Sequence, residues 1–571
     1  MNLQRPPLSS HQQAVLEAYR DNNIVVDAVP GAGKSHTLIA IAHDCQAPTL
    51  FVAHTRRAAT EVATLLPEWA KSRTMHSVGL ALWHRLVPNC EFREDKSAAL
   101  CKYVCDGNNS LRMRWRSWGA VHRLLTWART LGIVPAGTPG MTGLIPDTSE
   151  SWSVAYEAAE IDSALRPEDL FTMARDALRL SIKTGRQVDH DALYLATLTD
   201  DLRGMLPKPK YILVDEAQDL EPLQRRLIER IVNGGARLVA VGDFRQSIFN
   251  WRGADRDAME KLRTSANAVR MTLPVSYRLP KLVIEATFDY TGWQIEPAPY
   301  AISGVIHAFQ PVNLATLPAG ALLLCRRRAP LARQAALALR RGRKVRMIGA
   351  ADGRALASVL RDAGKGETSL QIAVTAVMRD LGQRARLHKI AGNKEAAAAA
   401  QDRADTIAAL AVSITARNQW ATVADMVAML GEMYTDELGA DALNFSTIHR
   451  AKGAESPYVV IIGLDKIDGD QANELRYVAL TRSQNVLHIA DIAMESEERR
   501  EKRASGGASS APPPRIETPY EVLGVRYGAS KEEIKRAFQR LVMETHPDRN
   551  LPTSDAGRFA AVVRARDALL G

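Results

Sequence analysis

The feature that most restricts the fold is a strand, a glycine loop and a helix in immediate succession near the start of the chain. The β-branched run Ile24-Val25-Val26 leads into Ala28-Val29-Pro30-Gly31-Ala32-Gly33-Lys34-Ser35, and His36 is followed by the helix-forming Thr37-Leu38-Ile39-Ala40. Glycines let backbone N–H groups close around phosphate oxygens, the lysine neutralises the β and γ phosphates, and the adjacent hydroxyl binds Mg2+. Gly31, Ala32, Gly33, Lys34, Ser35 and His36 are therefore expected to hold ATP, although Ala28 stands where the usual pattern begins with glycine.

Further β-branched or apolar runs at 50–53, 211–214, 238–241 and 458–462 alternate with helical patterns. That alternation predicts parallel sheets covered by helices. Between about 85 and 205 the strand signal gives way to helix-period segments rich in Trp and Arg, and an Ala-rich helical block runs from about 351 to 440. The expected class is α/β: two parallel-sheet cores, each with a helical insertion. The boundaries read as 1–84 with 206–278 and 279–350 with 441–493 for the cores, and 85–205 and 351–440 for the insertions. A Gly/Ser stretch followed by Pro512-Pro513-Pro514 reads as a linker over 494–516, leading to a small all-α module at 517–571.

The run Tyr211-Ile212-Leu213-Val214 delivers Asp215-Glu216-Ala217-Gln218-Asp219. A carboxylate at a strand end can share Mg2+ with Ser35, and its neighbour can take a proton from water attacking the γ phosphate. On residue type alone, an acidic helix start is the plainer alternative.

The order of the remaining motifs is more specific. Val241-Gly242-Asp243-Phe244-Arg245-Gln246-Ser247-Ile248-Phe249-Asn250-Trp251-Arg252-Gly253-Ala254 resembles motif III of UvrD/Rep-like superfamily 1 helicases. Around it, in family order, come Gln12, Thr55-Arg56-Arg57, Thr74-Met75-His76-Ser77, Tyr277-Arg278, Thr447-Ile448-His449-Arg450-Ala451-Lys452-Gly453-Ala454-Glu455 and Thr481-Arg482. The resemblance spans 8–483 and implies two RecA-like cores. It implies that Gln12 reads adenine, Tyr277 stacks on it, Gln246 senses the γ phosphate, and Arg278 and Arg482 stabilise the transferring phosphoryl group. Arg57 and Glu455 join the nucleotide set. Phe249 and Trp251 become platforms for bases of a single strand, with His54, Thr55, His76, Arg252 and His449 beside the DNA. His54 stands where the family often has phenylalanine.

Charge agrees with such a partner, since 74 Lys and Arg against 64 Asp and Glu leave a net charge of +10. Arg112, Arg114, Arg116 and Arg123 interleave with Trp115 and Trp118, and Arg326, Arg327, Arg328, Arg333, Arg340, Arg341, Arg343, Lys344 and Arg346 fall in one stretch without an acid. Both patterns suit either phosphate contact or a solvated face. Cys90, Cys101 and Cys105 near His84 admit a metal site, with buried free thiols as the plainer reading. No run of about 18 apolar residues or secretory signal occurs, so a cytoplasmic protein with no membrane partner is expected.

At the C-terminus, Tyr520, Leu523 and Gly524 precede a helix from Lys531 that leads to His546-Pro547-Asp548, with Phe559, Val562, Ala565 and Leu569 beyond. This resembles a DnaJ J-domain. Ile534, Phe538, Leu541 and Val542 fall on one helical face, which leaves Lys535, Arg536 and Arg540 outside. The resemblance implies that Lys535, Arg536 and the His-Pro-Asp loop engage a DnaK-type chaperone, and Arg566 replaces a tyrosine often found in the third helix.

Together these readings predict an ATP-dependent DNA helicase or translocase acting on single-stranded or tailed DNA, with 3′-to-5′ polarity implied by the helicase resemblance alone and the pathway, whether DNA repair, DNA replication, plasmid or phage function, or defence, left open. Two alternatives stay open. One is a translocase that remodels nucleoprotein without unwinding, which the shortness of the second insertion favours. The other is a DNA-targeted co-chaperone adaptor.

Overall fold

The computed structural model describes residues 7–491 except 108–117, 160, 162–164, 203, 249–256, 309–311, 391–393 and 417, and beyond them 522–526, 529–545, 562–563, 565–566 and 569. The chain forms two compact units. One comprises Met1–Arg278, Glu296–Tyr300 and Gln371–Ala408; the other comprises Leu279–Ile295, Ala301–Leu370 and Ala409–Gly571.

The first unit is built on strands β1 (Ile24–Ala28), β2 (Thr49–Val52), β3 (Ala70–Arg73), β4 (Tyr211–Val214), β5 (Arg237–Gly242) and β6 (Val269–Leu273). They form an all-parallel sheet in the order β3-β2-β4-β5-β1-β6. Strands β1, β2 and β4 are buried throughout, as a sheet covered on both faces requires, whereas the edge strands β3 and β6 expose two of four and three of five residues. Because every strand points the same way, the segments after β4, β5 and β1 leave from neighbouring strand ends. That juxtaposition builds the site described below.

The stretch 85–205 is mainly helical. Its helices include Lys96–Asp106, Trp118–Thr130, Ser149–Ala158, Pro167–Lys183 and Ala192–Leu198, and Leu124, Leu125, Trp152, Leu170 and Ala174 are fully buried among them. A two-residue parallel pair, Glu91–Phe92 with Gln187–Val188, interrupts it, too short to register as an apolar run. The interior also holds an ionic network. Lys96 Nζ lies 2.5 Å from Asp191 Oδ2, and the Arg129 guanidinium donates to Ser97 Oγ at 2.6 Å and Ser181 Oγ at 2.7 Å. Cys101 and Cys105 are buried free thiols, and burial pushes them up to about 12 and about 11. Cys90 Sγ approaches His84 Nδ1 at 3.1 Å, but no group of three or more metal-binding side chains assembles among the described residues.

The second unit carries β7 (Val305–Ala308), β8 (Leu322–Cys325), β9 (Val345–Ile348), β10 (Tyr434–Thr435), β11 (Leu443–Thr447), β12 (Ser456–Ile462) and β13 (Ser483–Ala490). These pair in the order β7-β13-β12-β8-β11-β9-β10, again all parallel. Between β9 and β10 the chain forms the helices Ala350–Ala363 and Val423–Met433 of this unit, and Leu370–Ile390 and Lys394–Thr415, most of whose residues belong to the first unit. Both sheets confirm an α/β fold.

At the C-terminus the helix Lys531–Thr545 packs Ile534 and Ala537 with Leu523, Val562 and Ala565 into a small core, flanked by Phe538, Leu541, Val542 and Leu569. Arg566 places its guanidinium 4.5 Å from the centre of the Phe538 ring, a cation–π contact. Lys535, Arg536 and Arg540 are exposed, while the 494–516 stretch and His546, Pro547 and Asp548 lie outside the described residues. No helix among the described residues is long and apolar enough to cross a membrane.

Candidate active site

After β1 the backbone turns through Gly31 (φ +75°) and Gly33 (φ +80°) into the helix Lys34–Asp44, which Gly33 caps. A Cβ on Gly31 would come within 2.5 Å of the Arg278 Cβ, so close passage of the two segments depends on glycine as much as the left-handed turn does. Ser276 Oγ donates to Pro30 O at 2.7 Å, and the Tyr277 N–H donates to Gly31 O at 3.1 Å. The loop is thus fastened to the segment that carries Tyr277 and Arg278. Tyr277 is exposed, its ring centre 6.3 Å from that of Tyr300.

Gln12 reaches the same loop. It closes a capping box with Ser9 at the start of the helix Ser10–Ala18, and its Nε2 donates to Ala32 O at 3.0 Å. His36 is half-buried on the first turn of the helix that follows the loop.

From the end of β4 come the two carboxylates. Ser35 Oγ donates to Asp215 Oδ2 at 2.5 Å, and Lys34 Nζ lies 3.7 Å from Glu216 Oε2. Removal from water pushes Asp215 up to about 6, Glu216 adds to the rise, and the Ser35 hydroxyl and Lys34 ammonium oppose it. Glu216 has φ +52° and ψ +46°, a left-handed conformation that costs a non-glycine residue about 1 kcal/mol or more. Its N–H donates to Asp215 Oδ1 at 2.9 Å, and its Oε2 accepts from Gln218 Nε2 at 2.6 Å.

After β5, the fully buried Asp243 accepts from Gln246 Nε2 at 2.9 Å and from Arg245 Nε at 2.6 Å. Arg245 also donates to Asp27 Oδ1 on β1 at 2.7 Å. Burial is the largest influence on Asp27 and raises it, with Arg245 the foremost opposing charge. Of these residues Gln246 is singled out by the sequence, whereas Gln218, Arg245, Asp27 and Ser276 carry no role there. Gln218 and Arg245 stand inside motifs already read; Asp27 and Ser276 have no local signal.

The other site residues divide between the units. Arg57 is exposed and pairs with Glu61 at 2.8 Å on the helix Arg56–Ala63, which Thr55 caps. His54 follows β2, and His76 lies in the first turn of the helix Met75–Leu86, capped by Thr74. Desolvation lowers His76 most, followed by the neighbouring His190, His54 and Arg56. In the second unit, Arg482 is buried and donates from Nε to Val478 O at 2.8 Å and from Nη2 to Thr481 Oγ1 at 2.9 Å. Glu455 accepts from Gln484 at 3.0 Å, and His449 Nε2 lies 2.9 Å from Arg326 Nη1. Phe249, Trp251 and Arg252 fall outside the described residues.

Comparison with known proteins finds two regions of similarity. Residues 158–267 match the family model of the UvrD/REP helicase N-terminal domain, and residues 518–570 match that of the DnaJ domain. The chain is thus similar in one region to the UvrD/REP helicase N-terminal domain and in another to the DnaJ domain. It is 36% identical over 77 residues to the RecBCD enzyme subunit RecB of Mycobacterium tuberculosis, covering 14% of this chain and 7% of that one. A probable DNA helicase II homolog of Mycoplasma capricolum is 38% identical over 81 residues, 14% of this chain and 11% of the relative. The chaperone protein DnaJ of Leifsonia xyli is 50% identical over 50 residues, 9% of this chain and 14% of the relative. The matches thus span a seventh or less of these relatives' own lengths.

Proposed function

We propose that the chain is an ATP-dependent DNA helicase or translocase of 3′-to-5′ polarity, acting in the cytoplasm on single-stranded or tailed DNA, and that its DnaJ domain recruits a DnaK-type chaperone. The observation that carries the motor reading is the meeting of the glycine loop with two carboxylates, Ser35 on Asp215 at 2.5 Å and Lys34 beside Glu216 at 3.7 Å.

In this reading, loop N–H groups and Lys34 bind the β and γ phosphates of ATP at the positive end of the helix Lys34–Asp44. The hard oxygens of Ser35 and Asp215 suit Mg2+, and they would hold it there. When bound, that ion neutralises charge on the β and γ phosphate oxygens. Glu216, pinned by Gln218 and its own backbone turn, takes the proton of the attacking water. Gln246 contacts the γ phosphate, Arg278 steadies the charge on the transferring group, and Tyr277 with Gln12 accounts for the base. Arg482 serves the same phosphoryl transfer. Phe249 and Trp251 stack on bases, with His54, Thr55, His76, Arg252 and His449 along the strand.

Strand displacement on 3′-tailed and 5′-tailed duplexes, run with and without a DnaK-type chaperone, tests the whole reading. Unwinding of the 3′-tailed substrate alone is expected. ATP hydrolysis stimulated by DNA without displacement on either substrate would replace the helicase with a remodelling translocase. Activity that needs the chaperone would favour the co-chaperone adaptor.

A further inference from the structure

Three hydrogen bonds form an unbroken chain between Glu216 and Gln246. Gln218 Nε2 donates to Glu216 Oε2 at 2.6 Å, Gln218 Oε1 accepts from the Asp243 N–H at 3.0 Å, and Asp243 Oδ2 accepts from Gln246 Nε2 at 2.9 Å. The other Asp243 oxygen accepts from Arg245 Nε at 2.6 Å, and Arg245 extends to Asp27 at 2.7 Å, on the strand that enters the phosphate loop. Gln218, Asp243, Arg245 and Gln246 are all buried, in surroundings where a hydrogen bond is electrostatically stronger than in water.

The backbone makes room for this chain. A Cβ at Gly242 would lie 2.5 Å from Gln218 Oε1 and 3.0 Å from Gln218 N, so glycine at the end of β5 is what lets Gln218 reach the Asp243 amide. An amide is also the one side chain of this length that accepts from a backbone N–H and donates to a carboxylate at once. Glutamate at 218 would keep the acceptor and lose the donor.

We propose that Gln218 is a positioning residue that links the placement of Glu216 to the placement of Gln246, with Arg245 holding Asp243 in register with the strand before the phosphate loop. This rests on the reading of the site as an ATPase. A shift of Gln246 toward a γ phosphate pulls on Asp243, and through the Asp243 amide and Gln218 it aims the Glu216 carboxylate. Hydrolysis is thereby tied to a correctly seated γ phosphate, because the aim of the base follows the position of the sensor.

The test is a double-mutant cycle in DNA-stimulated ATP hydrolysis by the full chain, with Gln218→Glu, Gln246→Ala and the double variant, alongside binding of a fluorescent ATP analogue. Gln218→Glu should lower kcat about 10- to 100-fold, the range of a misplaced catalytic base. It should leave the KM for ATP and analogue binding within about 2-fold. In the Gln246→Ala background the same substitution should lower kcat by less than about 3-fold, because the link is already cut. Arg245→Lys keeps the charge but not the fork that spans two carboxylates, and should give a smaller kcat loss in the same direction with unchanged analogue binding. Full additivity of the two substitutions would overturn the linkage, as would an unchanged kcat in Gln218→Glu. If Gln218→Glu unfolds the chain, the Arg245→Lys and Gln246→Ala cycle decides in its place on the same criterion. Absence of ATP hydrolysis in the unsubstituted protein would instead overturn the ATPase reading itself.

Discussion

The two sheets share an architecture and differ in what stands at their carboxyl edges. In the first, the neighbouring strands β4, β5 and β1 end in Asp215 and Glu216, Asp243, and the phosphate loop with Lys34. In the second, the neighbouring central strands β8 and β11 end in Arg326, Arg327 and Arg328, and in His449 and Arg450. The acids of the first edge are held tightly by named partners: Ser35 on Asp215, Gln218 on Glu216, Arg245 on Asp243. On the second edge Arg326 and Arg327 are exposed, and Asp352 is bridged by Arg328 at 3.3 Å and Arg450 at 2.7 Å. Carboxylates fixed to within a hydrogen bond suit a reaction that needs geometry; exposed guanidinium groups suit a charged strand that must slide. The fold is the same, so the chemistry comes from the edge residues and not from the sheet.

Sharpest is the effect expected on the first edge. Glu216→Gln should lower DNA-stimulated ATP hydrolysis about 10²- to 10³-fold while ATP binding survives, since the base is lost and the phosphate contacts are not. Lys34→Ala should remove hydrolysis and weaken binding together, because charge on the phosphates is no longer neutralised. Steady-state turnover near that of the unsubstituted protein in either variant would place the catalytic edge elsewhere.

A smaller effect, of a different kind, is expected on the second edge. The paired substitution Arg326→Ala with Arg327→Ala should weaken binding of a single-stranded oligonucleotide. It should also make the logarithmic salt dependence shallower, by about 0.7 for each phosphate that is no longer neutralised. Fluorescence anisotropy at several salt concentrations measures both. An unchanged slope would make these arginines a solvated face, the alternative that the acid-free stretch left open.

His546→Gln should affect neither edge. DNA-dependent hydrolysis and translocation should stay within about 2-fold, while stimulation of a DnaK-type chaperone's ATPase disappears, since a tethered recruiter works through local concentration. Deletion of 504–571 should do the same. Loss of unwinding on that deletion would join the C-terminal module to the motor and end the two-edge description.

Much of this is legible in the sequence where the signal is local. The strand, Gly31, Gly33, Lys34 and helix fall in one window, and β4 with its acids in another. Edge strands are not legible. Ala70-Lys71-Ser72-Arg73 is polar because an outer strand need not bury its residues, and β6 exposes three of its five. The strands Leu443–Thr447 and Ser483–Ala490 escape notice for another reason: each mixes polar with apolar residues, and Asn444 is satisfied internally by Gly439. The Asp27 to Arg245 pair joins residues 218 positions apart, so only the folded sheet brings it together. The partners of the Arg482 guanidinium, Val478 O in the helix Ala472–Leu480 and Ala454 O, are likewise visible only in the folded chain.

The division of labour between the edges is tested most directly by ATP hydrolysis measured against increasing single-stranded DNA in the Arg326→Ala, Arg327→Ala variant. More DNA should be needed for half-maximal stimulation, by about 10-fold at moderate salt, while the rate at saturating DNA matches that of the unsubstituted protein. A saturating rate that falls while the half-maximal DNA concentration stays put would contradict the division, because the basic edge would then be acting on the chemistry and not on the strand.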